Sequence, residues 1–136
     1  MKIRLRLVID TNVLISATLF ANSIPRQAFN QALQEGRILM SDATWEEVVK
    51  VLARRKFDRY VSVERRCAFI QDLDSVAELV IITQTVHVCR DPKDNMILEL
   101  AINGEADPII TGDQDLLALD SFHGIPIRTP AQYLAQ

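Results

Sequence analysis

Cysteine is scarce in this 136-residue chain. There are two, Cys67 and Cys89, and they lie far apart. That excludes a disulfide framework, and their spacing fits no thiolate metal site. The two histidines, His87 and His123, have no motif-like company, and both read as structural or surface residues. With four glycines and five prolines, no repeat, linker or low-complexity stretch stands out. No apolar run approaches the roughly 20 residues that span a bilayer, and no signal peptide is recognisable. A cytoplasmic protein with reduced thiols and no membrane association is therefore expected. The net charge of −3 is too small to exclude any partner class, nucleic acid included. Hydrophobic residues make up 49% of the chain, which excludes disorder. The length fits a single domain over residues 1–136 with a substantial core.

The chain alternates short apolar runs with helical patterns. Residues 5–10 read as a buried strand and Thr11 to Ala21 as a helix. Pro25 suits the start of a second helix, which stops at Gly36, a residue that commonly caps helix C-termini. Ile38 to Met40 is a short strand, Ser41 to Arg55 a helix, Val63 to Val76 another, and Leu79 to Ile82 a strand. Then come a helix from Asn95 to Asn103, a strand from Pro108 to Thr111, a helix from Gln114 to Leu119, an edge strand from Ile125 to Ile127 and a closing helix from Thr129-Pro130. Short apolar strands separated by helices predict a mainly parallel sheet covered on both faces.

Acidic residues recur where these strands end and helices begin. Asp10 ends the first strand, Asp113 and Asp115 follow a later one, Asp94 opens a helical pattern and Glu47 sits early in another. In a parallel α/β sheet, ligands bind outside the carboxyl ends of the strands. Carboxylates gathered there repel one another unless a cation lies between them, and hard oxygen donors suit Mg²⁺ or Mn²⁺. Each position also has a local explanation. Asp10, Asp94 and Asp113 are each placed to cap a helix. Glu47 would close a capping box with Thr44, and Asp91-Pro92 is an ordinary turn.

Four stretches, in order, resemble the motifs of the PIN-domain nucleases. They are Val8-Ile9-Asp10-Thr11-Asn12, Ser41-Asp42-Ala43-Thr44-Trp45-Glu46-Glu47, Asp94-Asn95-Met96-Ile97-Leu98, and Ile110-Thr111-Gly112-Asp113-Gln114-Asp115. The resemblance covers about residues 5–130 and is nearest to prokaryotic PIN proteins described as toxins of toxin–antitoxin systems. It implies a three-layer α/β/α sandwich around a central, mainly parallel sheet. It also implies a divalent-metal-dependent endoribonuclease using Mg²⁺ or Mn²⁺. The catalytic carboxylates would be Asp10, Glu47, Asp94 and Asp113, with Asp115 an adjacent metal ligand, a supporting group or a helix cap. Asn12 and Thr111 would orient them by hydrogen bonds; for Asn12, a turn role at the helix start is an equal alternative. Glu47 is preferred to Glu46, which is spaced to pair with Lys50 on the solvent side. Asp94 is preferred to Asp91, because Ile97, Leu98 and Ala101 follow it at helical spacing. The resemblance further implies an RNA substrate, a small antitoxin partner and a homodimer. Hydrolysis by activated water would leave a 5′-phosphate and a 3′-hydroxyl.

Residues 54–66 carry six cations (Arg54, Arg55, Lys56, Arg59, Arg65, Arg66) against Asp58 and Glu64. Arg54, Arg55 and Lys56 are candidates for the RNA backbone, with Phe57 and Tyr60 available to stack on bases. The alternative is a solvated helix end with both rings partly in the core. Lys93 is the basic residue nearest the expected chemistry; Arg26 and Arg90 are further candidates. Two other functions fit less well. A catalytically inactive PIN scaffold binding RNA or protein would not need every acidic position. A receiver-type phosphotransfer domain needs a lysine after a late strand, where this chain has Arg128-Thr129-Pro130.

Overall fold

The fold is built on alternation within its strands. In β1 (Leu5–Ile9), side chains point alternately to the two faces of the sheet. Leu7 and Ile9 enter one apolar cluster and Val8 the other. The same split recurs in β2 (Gly36–Met40), where Ile38 and Met40 face one cluster and Leu39 the other. In β4 (Ile109–Ile110), Ile110 and Ile109 divide in the same way. A sheet apolar on both faces must be covered on both. One face is covered by α1 (Thr11–Leu19), α2 (Ile24–Glu35), α3 (Asp42–Leu52), α4 (Val63–Val76) and α7 (Pro130–Leu134). The other is covered by α5 (Pro92–Asn103) and α6 (Gln114–Leu119). The result is a three-layer α/β/α sandwich, in the computed structural model that describes residues 4–136.

Strand order is β3-β2-β1-β4-β6-β5, with β3 at Ala77–Leu79, β5 at Ser121–Phe122 and β6 at Ile125–Arg128. All pairings are parallel except β5 with β6. From β1 the chain winds outward to β2 and β3, then returns to place β4 on the other side of β1. The switch point, where crevices form in such sheets, therefore lies between β1 and β4. Asp10 and Thr111 are the residues that leave those two strands. Among the described residues, no helix is long and apolar enough to cross a membrane.

Several boundaries differ from the sequence expectation. The helix α3 stops at Leu52 and not at Arg55, and a short 3-10 turn at Arg55–Phe57 follows. Strand β3 lies earlier than Leu79–Ile82, because β2 offers partners to Ala77, Glu78 and Leu79; Val80 makes a last bond to the Met40 carbonyl before the chain departs. Strand β6 is not the edge. A two-residue turn, His123-Gly124, has positive φ at both positions (51° and 80°), which matches the twist of a tight hairpin and adds β5 outside β6. Gly36 does follow α2, but its backbone is extended. Glycine is required there because a Cβ would collide with the Leu5 carbonyl across the β1–β2 pairing.

Candidate metal centre

Asp10 follows β1 and caps α1, accepting the Asn12 backbone N–H at 3.2 Å. Its other oxygen accepts the Thr111 hydroxyl at 2.6 Å. The Thr111 hydroxyl in turn accepts the Asp113 backbone N–H at 3.0 Å. Thr111 thus ties the end of β4 to the end of β1 and fixes the position of both acids. Asn12 touches Asp10 through its main chain, and its side chain lines the cleft.

Asp113 caps α6 through the Leu116 N–H at 3.1 Å. Asp115 follows in the first turn, exposed, with the Arg90 guanidinium 3.3 Å away. Helix α5 begins three residues before Asn95, with Pro92 in its first turn. Asp91 is its cap, bonded to the Lys93 N–H at 2.9 Å. Asp94 is therefore not the cap. It lies in the first turn of the helix, 6% exposed, and lines the cleft. Asp94, Asp113 and Asp115 each bring one carboxylate oxygen to within 4.8 Å of the others.

Glu47 reaches the same cleft from α3. Ser41 and Thr44 form the reciprocal capping box of that helix (Thr44 N–H to Ser41 Oγ 3.2 Å, Ser41 N–H to Thr44 Oγ1 2.8 Å). Thr44, not Glu47, closes the box. The Glu47 carboxylate is left to pair with Lys93 Nζ at 3.1 Å. Glu46 is exposed and lies outside the cleft, and no Glu46–Lys50 ion pair occurs among the described residues. The cleft has a volume of about 170 Å³ and contains Asp10, Glu47, Asp91, Lys93, Asp94 and Asp113.

This concentration of acid shifts proton affinities. Burial, then the charges of Asp113, Asp91, Asp10 and Asp115, push Asp94 up to about 6. Asp10 is raised as well, chiefly by burial, although the Thr111 and Asn12 hydrogen bonds pull the other way. The donor set fits a hard divalent cation. It is all carboxylate oxygen with no sulfur or imidazole, three of the oxygens converge, and the like charges that add to the burial of Asp94 are what a cation would offset.

The basic segment divides in two. Arg54, Arg55 and Lys56 are exposed, but none of them lines the carboxylate cleft. Arg66 is 4% exposed and is committed to structure. Its guanidinium donates to the Leu52 carbonyl at 2.7 Å and the Arg54 carbonyl at 3.3 Å and pairs with Asp58. It ties down the end of α3, so it is not free for a phosphate. Phe57 packs partly against the core, whereas Tyr60 is exposed.

A family model for the PIN domain matches residues 6–115, an interval that starts in β1 and ends on Asp115. The chain belongs to the PIN-domain family. The PIN domain is 34% identical over 120 residues to the uncharacterised protein MJ1680 of Methanocaldococcus jannaschii, covering 87% of this chain and 77% of that one. Its fold is also that of a chain in the crystal structure of VapBC2 from Rickettsia felis bound to a DNA fragment from their promoter. The TM-score is 0.63 at 11% identity, over 91% of this chain and 98% of that one. Two features of the PIN site differ from the sequence reading. Asp91, set aside there as a turn residue in favour of Asp94, lines the cleft beside Asp94 and caps α5, and Pro92 at the first helical position was the available signal. The Lys93–Glu47 pair joins two helices and left no sequence signal.

Proposed function

We propose that this PIN domain is a divalent-metal-dependent endoribonuclease, the toxin component of a toxin–antitoxin pair. The observation that carries the reading is the convergence of Asp94, Asp113 and Asp115 at the switch point, beside the buried Asp10. Asp94, Asp113 and Asp115 would hold a Mg²⁺ or Mn²⁺ ion, with Asp10 and Glu47 supplying oxygens from the opposite walls. A bound ion of this kind supplies Lewis acidity, lowering the pKa of water and offsetting charge on a phosphodiester.

The protein's own groups do the rest. Thr111 holds Asp10 and Asp113 in register across two strands. Asp91 fixes the start of α5 and so the height of Asp94. Lys93 is balanced against Glu47, and its ammonium can turn to a phosphate oxygen once the carboxylate has another cation to face. Water adds to phosphorus as the bond to the 3′-oxygen breaks, and the RNA 2′-hydroxyl takes no part. The products are a 5′-phosphate and a 3′-hydroxyl. Arg54, Arg55 and Lys56 would follow the RNA backbone outside the cleft. A cytoplasmic homodimer neutralised by a small antitoxin, with a basic side chain directed at the acidic mouth, completes the reading.

The test is cleavage of a structured RNA by metal-stripped protein titrated with Mg²⁺ or Mn²⁺, with end-group analysis of the products. Metal-dependent cutting that Asp94→Asn abolishes is expected. RNA binding without cutting at any metal concentration would favour the inactive-scaffold reading.

A further inference from the structure

A second and larger cleft, of about 820 Å³, adjoins the carboxylates. Asn12 and Asp113 line both clefts, so the two meet at those residues. Its walls come from four elements. Val13 and Ser16 belong to α1, Pro25 to the start of α2, Gln114 to the start of α6, and Pro130 to the start of α7. Three of these starts are pinned by side-chain caps, at Ser23, Asp113 and Thr129. The cleft is thus held open by rigid helix ends, as ligand sites usually are.

Its charge tells what it can hold. Among the described residues no lysine or arginine lines it, while Asp113 and Asp115 do, Asp115 paired with Arg90 from outside the cleft. A phosphate placed here would meet two carboxylates, one of them already holding the nearby cation. A flat, neutral group fits, with apolar surface for its faces against Pro25, Pro130 and Val13. Amide and hydroxyl groups at Gln114 and Ser16 are available to its polar edge. We infer that this cleft takes the base of the nucleotide flanking the scissile phosphate, and so gives the enzyme its choice of cleavage site. The inference rests on the ribonuclease reading, and it adds a base-binding subsite distinct from the carboxylate cleft.

The experiment is fluorescence-anisotropy binding of a labelled oligoribonucleotide and its single-abasic derivatives, one per position, to the Asp94→Asn protein in Mg²⁺. Two further proteins add Ala131→Trp, which fills the cleft from the exposed first turn of α7, or Gln114→Ala. One abasic position is expected to weaken binding by about tenfold, the size of effect that burying one base between side chains produces. Ala131→Trp should remove that dependence and Gln114→Ala should reduce it. Abasic derivatives that all bind within about twofold of the parent, or a positional penalty that survives in both added variants, would overturn the inference. Absence of any RNA binding would overturn both this inference and the ribonuclease reading. Base-dependent binding sensitive to both variants, in a wild-type protein that never cuts RNA, would overturn the ribonuclease reading and with it the role in choosing a cleavage site, and would leave a base-binding cleft.

Discussion

Replacing Asp94 by asparagine should stabilise the metal-free protein at neutral pH. Asp94 is almost fully buried among like charges, and its proton affinity is pushed up to about 6 from 3.8. Between those two pH values the native state keeps a proton that the unfolded chain has lost, so stability falls as pH rises through the window. By pH 7 the penalty is complete, and a shift of about two units corresponds to about 3 kcal/mol. Asparagine keeps the shape and removes the charge. No cap is lost, because Asp91 caps α5. Allowing for relaxation of the remaining carboxylates, a gain of about 1–3 kcal/mol is expected in EDTA, or roughly 3–5 °C in Tm per kcal/mol for a domain of this size. Urea unfolding of both proteins at pH 7.5 and pH 4 measures it. The difference should be large at pH 7.5 and small at pH 4, where the native carboxyl is protonated and the unfolded one is near its midpoint, so little of the penalty has accrued. Mn²⁺ should then reverse the ranking at pH 7.5, since an ion at 1,000 times its Kd adds about 4.1 kcal/mol to the wild type. Loss of about 1 kcal/mol in the apo variant, or a difference independent of pH, would refute the electrostatic argument.

Other substitutions separate neighbouring roles. Glu47→Gln should abolish most cleavage with the fold intact, whereas Glu46→Gln, exposed and outside the cleft, should be silent; equal rates for the two would reject the assignment of Glu47. Thr111→Val removes the hydroxyl that bridges Asp10 and the Asp113 N–H, leaving a half-buried donor and a buried carboxylate without their partner; a loss of about 1–3 kcal/mol by thermal unfolding is expected, along with weaker metal binding by titration. Arg66→Met should destabilise by several kcal/mol through the unpaired end of α3, and a stable variant with altered RNA affinity would show the residue to be misassigned. Arg54→Ala with Arg55→Ala should flatten the salt dependence of RNA binding by up to about 1.4 in the log–log slope while leaving the Mn²⁺ affinity unchanged; an unaltered slope would exclude both residues from the RNA path.

Much of the framework was legible because the core strands are unbroken apolar runs. Leu7-Val8-Ile9 and Ile109-Ile110 need no tertiary information to read as buried strands, and α4 runs over Val63–Val76 as the pattern predicts. The parts that were not legible depend on partners. Residues 79–82 are all apolar, yet strand pairing reaches only Leu79, because β2 decides where β3 begins. The two-residue β5 exists only through its hairpin with β6. Helix α5 was placed three residues late because apolar spacing was weighed over Asp91-Pro92, a cap and first-turn proline that define the boundary directly.

The candidate site divides along the same line. That acids would gather at strand ends followed from residue type and position alone. Which oxygens converge did not, because Asp94 belongs to α5, which packs on β1 and β2, while Asp113 caps α6 and Asp115 stands in its first turn, against β6, so their separation is fixed by how the two helices are placed on the sheet. The helix-cap and cation-site readings of these acids also prove compatible. Asp10 and Asp113 each accept a backbone N–H and still line the carboxylate cleft. A carboxylate has two oxygens with several lone pairs. In Asp113 one oxygen fixes the side chain to the start of its own helix and leaves the other to the cleft; in Asp10 the second oxygen also accepts the Thr111 hydroxyl and offers the cleft its remaining lone pairs, so in this fold the caps are what aim the acids.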